Sequence, residues 1–492
     1  MRTRIQNVET LLSTGNLAGR RAMVQILEAG LRAADPYPNA RRLLRIENGR
    51  LIVGHKDFEP AGSPRSGEEV YDLSESGRIY VLGAGKGIQN VAKAIEDVLG
   101  ERLAGGHVID KKGHPVILER IGVTLGGHPS PDEDCARGCR RILEITEGLT
   151  EKDLVFTCIG NGVSSLLTLP AAGLTMEDLR RTTLATQIER GMTTRELSPI
   201  RNHLDRMKGG RISQYIHPAK MVHILSIDPG EYEHLMHRNF WLHTLPDSTT
   251  FQEAMESLRH YDALDAVPPA VRKYLEEADP RQETPKAPDF EKMSFRVFGL
   301  MPGYRQSGKL GPAMRKAEEL GFRAVLLADE LVEVEASHAG TYLASMANTA
   351  ERRGEPFEPP CALFSSGEVV VTVGQEKGMG GRNQELALSA ALRISGSENI
   401  VIASVDTDGT DGPGSQYSGA PTEIPCLAGG MVDGQTFYSA KKAGIDIVEA
   451  LRRHNTTPAL WELRSGIVAS PNISLIDLTV AIITGRSDKG SR

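Results

Sequence analysis

The stretch that most limits what this chain can fold into runs from Gly378 to Gly414, GMGGRNQELALSAALRISGSENIVIASVDTDGTDGPG. It reads as a glycine loop carrying one arginine (Gly380, Gly381, Arg382, Asn383), an apolar helix from Gln384 to Ile394, and a strand from Ile400 to Val405. An uninterrupted apolar strand such as NIVIASV is expected in a parallel sheet covered on both faces, and ligands of such sheets bind at the carboxyl ends of the strands. Asp406, Asp408 and Asp411 follow directly from that end, set among glycines. Carboxylates there can hold a hydrated magnesium ion or accept a proton, while the planar fork of Arg382 can grip a carboxylate or phosphate. In isolation DTDGTDG is equally a turn in which aspartates cap their own backbone. The adjoining arginine loop favours a site.

Such loops need a scaffold. A chain of 492 residues, 40% hydrophobic and 25% charged, is expected to form two or more globular domains. Its 51 glycines among short apolar runs favour α/β layering over a helical bundle. A formal charge of -7 gives no reason to expect a nucleic-acid or anionic-membrane partner. No apolar run reaches membrane-spanning length and the N-terminus lacks an apolar signal core, so a cytoplasmic location is expected. The cysteines, Cys135, Cys139, Cys158, Cys361 and Cys426, are scattered and read as reduced and structural.

In chain order, LAGRRAMVQILEAGLRAAD (Leu17 to Asp35) has helical spacing. A strand, Arg78 to Leu82, then runs into GAGKG (Gly83 to Gly87) and a helix, Ile88 to Leu99. Strand, glycine turn and helix form an anion-binding arrangement, because free backbone N–H groups and the positive end of the helix dipole point at one place. A dinucleotide fingerprint needs a third glycine where Ile88 stands, and a Walker loop needs Ser or Thr where Gly87 stands. Lys86, next to Gly85, is therefore the informative residue.

GGHPSPD (Gly126 to Asp132) offers His128, either an acid–base group or part of a rigid turn. The strand Asp153 to Cys158 leads into IGNGVSSLLTLP, where Asn161, Gly162, Ser164 and Ser165 place small donors and bare amides at a helix start. SPIRNHLDRMKGGRI (Ser198 to Ile212) carries Arg201, His203, Lys208 and Arg211, a charged face that is solvated surface unless it holds an anion. His234, His237 and His243 have poor spacing for a metal. The proline- and charge-rich Ala278 to Lys292 reads as a linker, followed by a strand Ser294 to Gly299, a helix Lys309 to Leu320, and strands Arg323 to Leu327 and Val369 to Val373.

GGRNQELALSAAL followed by VDTDGTDGP resembles the C-terminal MOFRL domain of the bacterial glycerate 2-kinase family, and the likeness covers most of the chain in order. GAGKG is similar to the family's GxGK loop, HPSPD to its HPxPD, IGNGVSSLL to its GGGSALL, and RNHLDRMKGGRI to its RKHLSxxKGGRL. Departures are Asn161 for glycine, Ser165 for alanine and Ile227 for aspartate. No SGPT run precedes Pro246-Asp247, and SGIVASPNISLID stands in place of TGPTGTNVNDL, keeping Asn472 and Asp477. Glu335 matches the glutamate of a GEA motif.

The resemblance implies two Rossmann-like doubly wound α/β domains with the active site in the cleft between them: residues 1–280, a linker at 281–292, and residues 293–492. It implies ATP-dependent phosphorylation of a hydroxyl on a small hydroxy acid, D-glycerate or a longer sugar acid, with ATP and Mg2+ as cofactors and a homodimer compatible. Lys86, Arg382 and Asp406 would be catalytic. Gly85, His128, Asn161, Ser164, Ser165, Arg201, Lys208, Glu385 and Asp408 would bind substrate or phosphate, and Asp406 with Asp411 the metal. The altered loops keep open a diverged homologue that performs proton transfer on a carboxylated sugar with His128 or His203 as base. Hydroxypyruvate reduction is opposed by the missing third glycine.

Overall fold

Short apolar runs become the strands of two six-stranded sheets and one small sheet in the computed structural model, which describes residues 3–301, 309–412 and 423–487. Contacts divide the chain into two compact units, Asp35–Pro302, and Met1–Ala34 together with Gly303–Arg492.

The first unit opens with a small antiparallel sheet of β1 (Leu44–Glu47), β2 (Arg50–Val53) and β3 (Glu69–Asp72). Its main sheet holds β4 (Ile79–Ala84), β5 (Gly105–Lys111), β6 (Gly122–Gly126), β7 (Leu154–Ile159), β8 (Lys220–Leu225) and β9 (Phe295–Gly299). The order is β6-β5-β4-β7-β8-β9, with every neighbouring pair parallel. The chain steps outward from β4 through β5 to β6, then returns to the other side of β4 with β7. That reversal opens a crevice at the carboxyl ends of β4 and β7, the usual ligand position in such a sheet.

The second unit carries β10 (Arg323–Glu335), β11 (Cys361–Val370), β12 (Ile400–Asp406), β13 (Gly429–Asp433), β14 (Gly466–Ile467) and β15 (Asp477–Ile483), in the order β10-β11-β15-β12-β13-β14. Only β10 and β11 pair in parallel. The doubly wound parallel form expected for both domains therefore describes the first sheet, whereas the second is mixed. β12 is buried at every residue, as its apolar run requires, yet lies antiparallel to both β13 and β15. Burial on two faces makes a strand apolar throughout and says nothing of its neighbours' direction. Val401, Ala403 and Val405 pack with one core and Ile400 and Ile402 with the other, the alternation a pleated strand imposes.

The unit limits differ from the expected ranges in two places. Residues 281–292 are not the division: Phe290 is buried, and β9 just beyond completes the first sheet beside β8. Proline and charge marked a connection there but not its burial. The N-terminal helix Leu17–Ala33 belongs with the second unit, where Met23, Leu27 and Leu31 share a core with Val401, Leu478 and Val480. Arg20 on that helix is buried and donates from Nε to Asp433 Oδ2 at 2.5 Å. Among the described residues no helix is long and apolar enough to cross a membrane.

Candidate active site

β4 ends at Ala84, and Gly85, Lys86 and Gly87 turn the chain toward the helix Gln89–Leu99. Gly85 has φ +153°, and a Cβ there would lie 2.8 Å from the Gly160 nitrogen. Lys86 N–H donates to the Asn161 carbonyl at 2.9 Å, and Gly87 N–H to Asp110 Oδ1 at 2.9 Å. Asp110, at the end of β5, also accepts from Lys111 N–H and from Gln89 Nε2, so one buried carboxylate sets the shape of the lysine loop. Its only trace in the sequence is an acid at the close of an apolar run, VIDKKG.

Gly162, at φ +82°, brings the next two groups together. A Cβ there would lie 2.8 Å from Lys86 Cγ and 3.3 Å from His128 Nε2, so the absent side chain is the space these two share. Ser165 Oγ donates to the Gly127 carbonyl at 3.0 Å, tying the loop after β7 to the loop after β6. Gly85, Lys86, His128, Asn161, Ser164 and Ser165 thus gather at the carboxyl edge of one sheet.

A recess on the same edge is lined by Ser164, Arg201, Lys208, Thr168, Thr182 and Thr183 together with the apolar Pro131, Leu179, Leu197, Ile200 and Leu204. Arg201, on the helix Thr194–His203, donates from Nη2 to the amide oxygen of Gln187 at 2.6 Å. Among the described residues no carboxylate pairs with it, and burial pushes its pKa down to about 10. Lys208 is buried and donates to Asp205 Oδ2 at 2.6 Å and Thr168 Oγ1 at 2.7 Å. Burial also pushes Lys208 down, and Asp205 offsets its charge. Ser164 Oγ lies 2.9 Å from His243 Nε2, while Gly209 N–H points at His243 Nδ1 at 3.5 Å. That arrangement puts the ring proton on Nε2 and leaves the Ser164 hydroxyl hydrogen for a ligand. Burial, then the neighbouring Lys208 and Arg201 cations, holds His243 well below the usual histidine range.

In the second unit Arg382 opens the helix Arg382–Arg393. Its Nε meets both Asp477 oxygens at 2.9 Å, Nη2 meets Asp406 at 2.8 Å, and Nη1 meets Glu368 at 3.1 Å. Burial alone works against the cation, but the three acids hold its pKa well above the ordinary value. The antiparallel β15 produces this cluster, because Asp477 at its start stands in register with Asp406 at the end of β12. Lys309, fully buried, donates to the Leu475 carbonyl, and burial pushes its pKa down to about 7 against the pull of Asp477 and Asp406. Sequence reasoning placed Lys309 only at a helix start.

The remaining acids serve the backbone. Asp406 Oδ1 accepts from Asp408 N–H at 3.1 Å, and Asp408 Oδ1 accepts from Thr410 N–H at 2.6 Å. Asp411 accepts from Asn383 N–H through Oδ1 and Gln384 N–H through Oδ2, clamping the glycine turn to the first turn of the Arg382 helix. Burial pushes Asp411 up to about 7. Glu385, expected at the substrate, is buried and paired with His454 Nδ1 at 2.7 Å. Among the described residues no three carboxylate, imidazole or thiol groups converge as a metal ion needs. Asp406 is engaged by Arg382 and Ser474, and Asp411 by helix amides, so these two do not fit the expected metal site.

His203 is buried with Nδ1 at the Pro199 carbonyl (2.7 Å) and Nε2 at Glu283 (2.6 Å), leaving neither nitrogen for proton transfer. His234 and His237 are exposed, each beside a glutamate of its own segment. All five cysteines are free thiols, four of them buried.

Fold and site together define a two-unit α/β protein with Lys86, Arg201 and Lys208 near the strand ends of one unit and an arginine clamped by acids in the other. Residues 22–276 match the family described as a domain of unknown function, DUF4147, and residues 361–474 match the MOFRL family. The chain belongs to the glycerate kinase family, whose members carry these two domains. It is 32% identical to glycerate 2-kinase of Pyrococcus horikoshii over 94% of this chain and 97% of that one. A putative hydroxypyruvate reductase of Agrobacterium vitis is 32% identical over 83% of this chain and all of its own length. The crystal structure of glycerate kinase from Thermotoga maritima is similar with a TM-score of 0.66 at 28% identity, covering 95% of this chain and 100% of that one.

Proposed function

We propose that this chain transfers the γ-phosphoryl group of ATP to a hydroxyl of a small hydroxy acid, D-glycerate or a near homologue. One observation carries the substrate class: Arg201 lines a small, largely apolar recess and has no acid paired with it among the described residues, which suits the carboxylate of a ligand. In this proposal the Arg201 fork and the Ser164 hydroxyl hold the acid. Phosphoryl transfer is mainly positioning and charge neutralisation, so Lys86 and the amides of its glycine loop meet the transferred group. Arg382 and Asp406 are the second unit's candidates for meeting that anion and receiving the hydroxyl proton, roles that require their mutual ion pair to open. ATP is the cofactor. Magnesium enters only as a companion of its phosphates, because the carboxylates described above do not fit a resident ion, and no step is assigned to it.

The relative named glycerate 2-kinase supports this proposal. Ile88, fully buried where a dinucleotide fingerprint has glycine, counts against the reductase alternative. The test is ATP consumption across three- to six-carbon hydroxy acids, with phosphorus NMR to locate the new ester and Lys86→Ala as control. Turnover with D-glycerate that Lys86→Ala abolishes is expected. Oxidation of NAD(P)H by hydroxypyruvate, with no ATP consumed on any acid, overturns the proposal.

A further inference from the structure

The wall of the recess contains a side chain that no sequence motif marks. Gln187 sits in a π-helical turn, Leu184–Ile188, that continues the helix Met176–Thr183. Such a turn widens the helix and redirects the side chains that follow, and turns of this kind recur at functional sites. Here Thr182 and Thr183 line the recess before the turn, and Gln187 reaches Arg201 from within it.

What Gln187 offers Arg201 is a neutral acceptor. An amide oxygen fixes the direction of a guanidinium and leaves its charge intact, whereas a carboxylate in the same place would fix and cancel it together. Arg20 has Asp433, Arg296 has Glu59 and Arg382 has three acids, whereas Arg211, also buried, is held by the Asn202, Lys208 and Gln282 carbonyls; Arg201 differs from Arg211 in lining the recess. Since Asp205 offsets Lys208, the net positive charge of the recess comes from Arg201.

We propose that Gln187 is a positioning residue that aims Arg201 into the recess while keeping its charge available for the carboxylate of the hydroxy acid. The inference rests on the recess being the acid subsite of the proposed reaction. It makes Gln187→Glu the decisive change, because that variant keeps the shape and adds the missing counter-ion.

The experiment is calorimetric binding of D-glycerate without nucleotide, paired with thermal melting of the same samples. Gln187→Glu is expected to weaken acid binding about a hundredfold while its Tm holds or rises. Gln187→Leu, which loses the aim but not the charge, is expected to weaken binding about tenfold. Gln187→Glu binding as tightly as wild type overturns the inference and leaves the proposed function standing. Loss of binding that only tracks a fall in Tm overturns it as well, since Gln187 would then be structural. A wild-type protein that binds no hydroxy acid overturns both.

Discussion

Arg201 and Arg382 take the same guanidinium into dry surroundings by opposite means. Arg201 donates to the Gln187 amide and lines a recess of threonines and aliphatic side chains, with no acid paired to it among the described residues. Arg382 is met by Asp406, Asp477 and Glu368. In the first unit the fold has left a charge unspent, at a cost in stability. In the second it has buried a charge cluster whose members depend on one another. Recognition of an anion needs the first kind of arginine, and Arg382 can join it only by exchanging one of its acids for phosphate.

The largest expected effect breaks the second arrangement. Arg382→Met leaves three acids facing each other around Lys309 and should destabilise the second unit by about 3–5 kcal/mol, read from urea denaturation. An unchanged midpoint would show that water or another cation already serves those acids. Arg201→Met should behave the other way. Its stability should stay within about 0.5 kcal/mol of wild type or improve, because an uncompensated charge has left a partly buried place. Its KM for the acid should rise about a hundredfold. If both variants unfold alike, the contrast between the two arginines is void.

How much of this was legible beforehand follows from the range of each interaction. The lysine loop could be read because strand, glycines and helix are consecutive, and the pattern of apolar runs gave the strands themselves. β12 was found with the right burial and the wrong neighbours, because β15 joins it from 75 or so residues later and period-2 burial carries no direction. The N-terminal helix reads as amphipathic, but Asp433 lies 413 residues beyond Arg20, and the core partners Val401, Leu478 and Val480 are also remote in sequence. Arg201, Lys208 and Ser164 were picked out by resemblance, yet their difference was invisible, since it depends on Gln187, Asp205 and His243. The aspartate run was judged a ligand site, and it proved to contain the Asx turns that were its plainer explanation.

The acid cluster can be sharpened by titration. Lys309 has its folded-state pKa pushed down to about 7, from an unfolded value of about 10.4. Between those values the unfolded chain binds a proton that the native one does not. The stability of the second unit should therefore rise from pH 7 toward pH 10 and fall again as pH returns, with a slope of at most about 1.4 kcal/mol per pH unit. Lys309→Met should flatten that slope, and urea midpoints across this range measure it. A flat wild-type profile across this range would mean that Asp406 and Asp477 hold the ammonium charged throughout.

The smallest effect separates charge from direction within the recess. Ser164→Ala removes one neutral donor, so the KM for the acid should rise about three- to tenfold with kcat unchanged. The same change orphans the buried His243 Nε2–H, which should take about 1 kcal/mol from stability. Adding His243→Phe removes the orphan, so the double variant should recover stability without recovering affinity. That split is informative because the two losses share one hydrogen bond but have different causes. Stability depends on the serine oxygen as an acceptor, and affinity on its hydrogen as a donor. If Ser164→Ala lowers affinity as far as Arg201→Met does, the serine and not the guanidinium holds the acid, and the unspent charge of Arg201 needs another explanation.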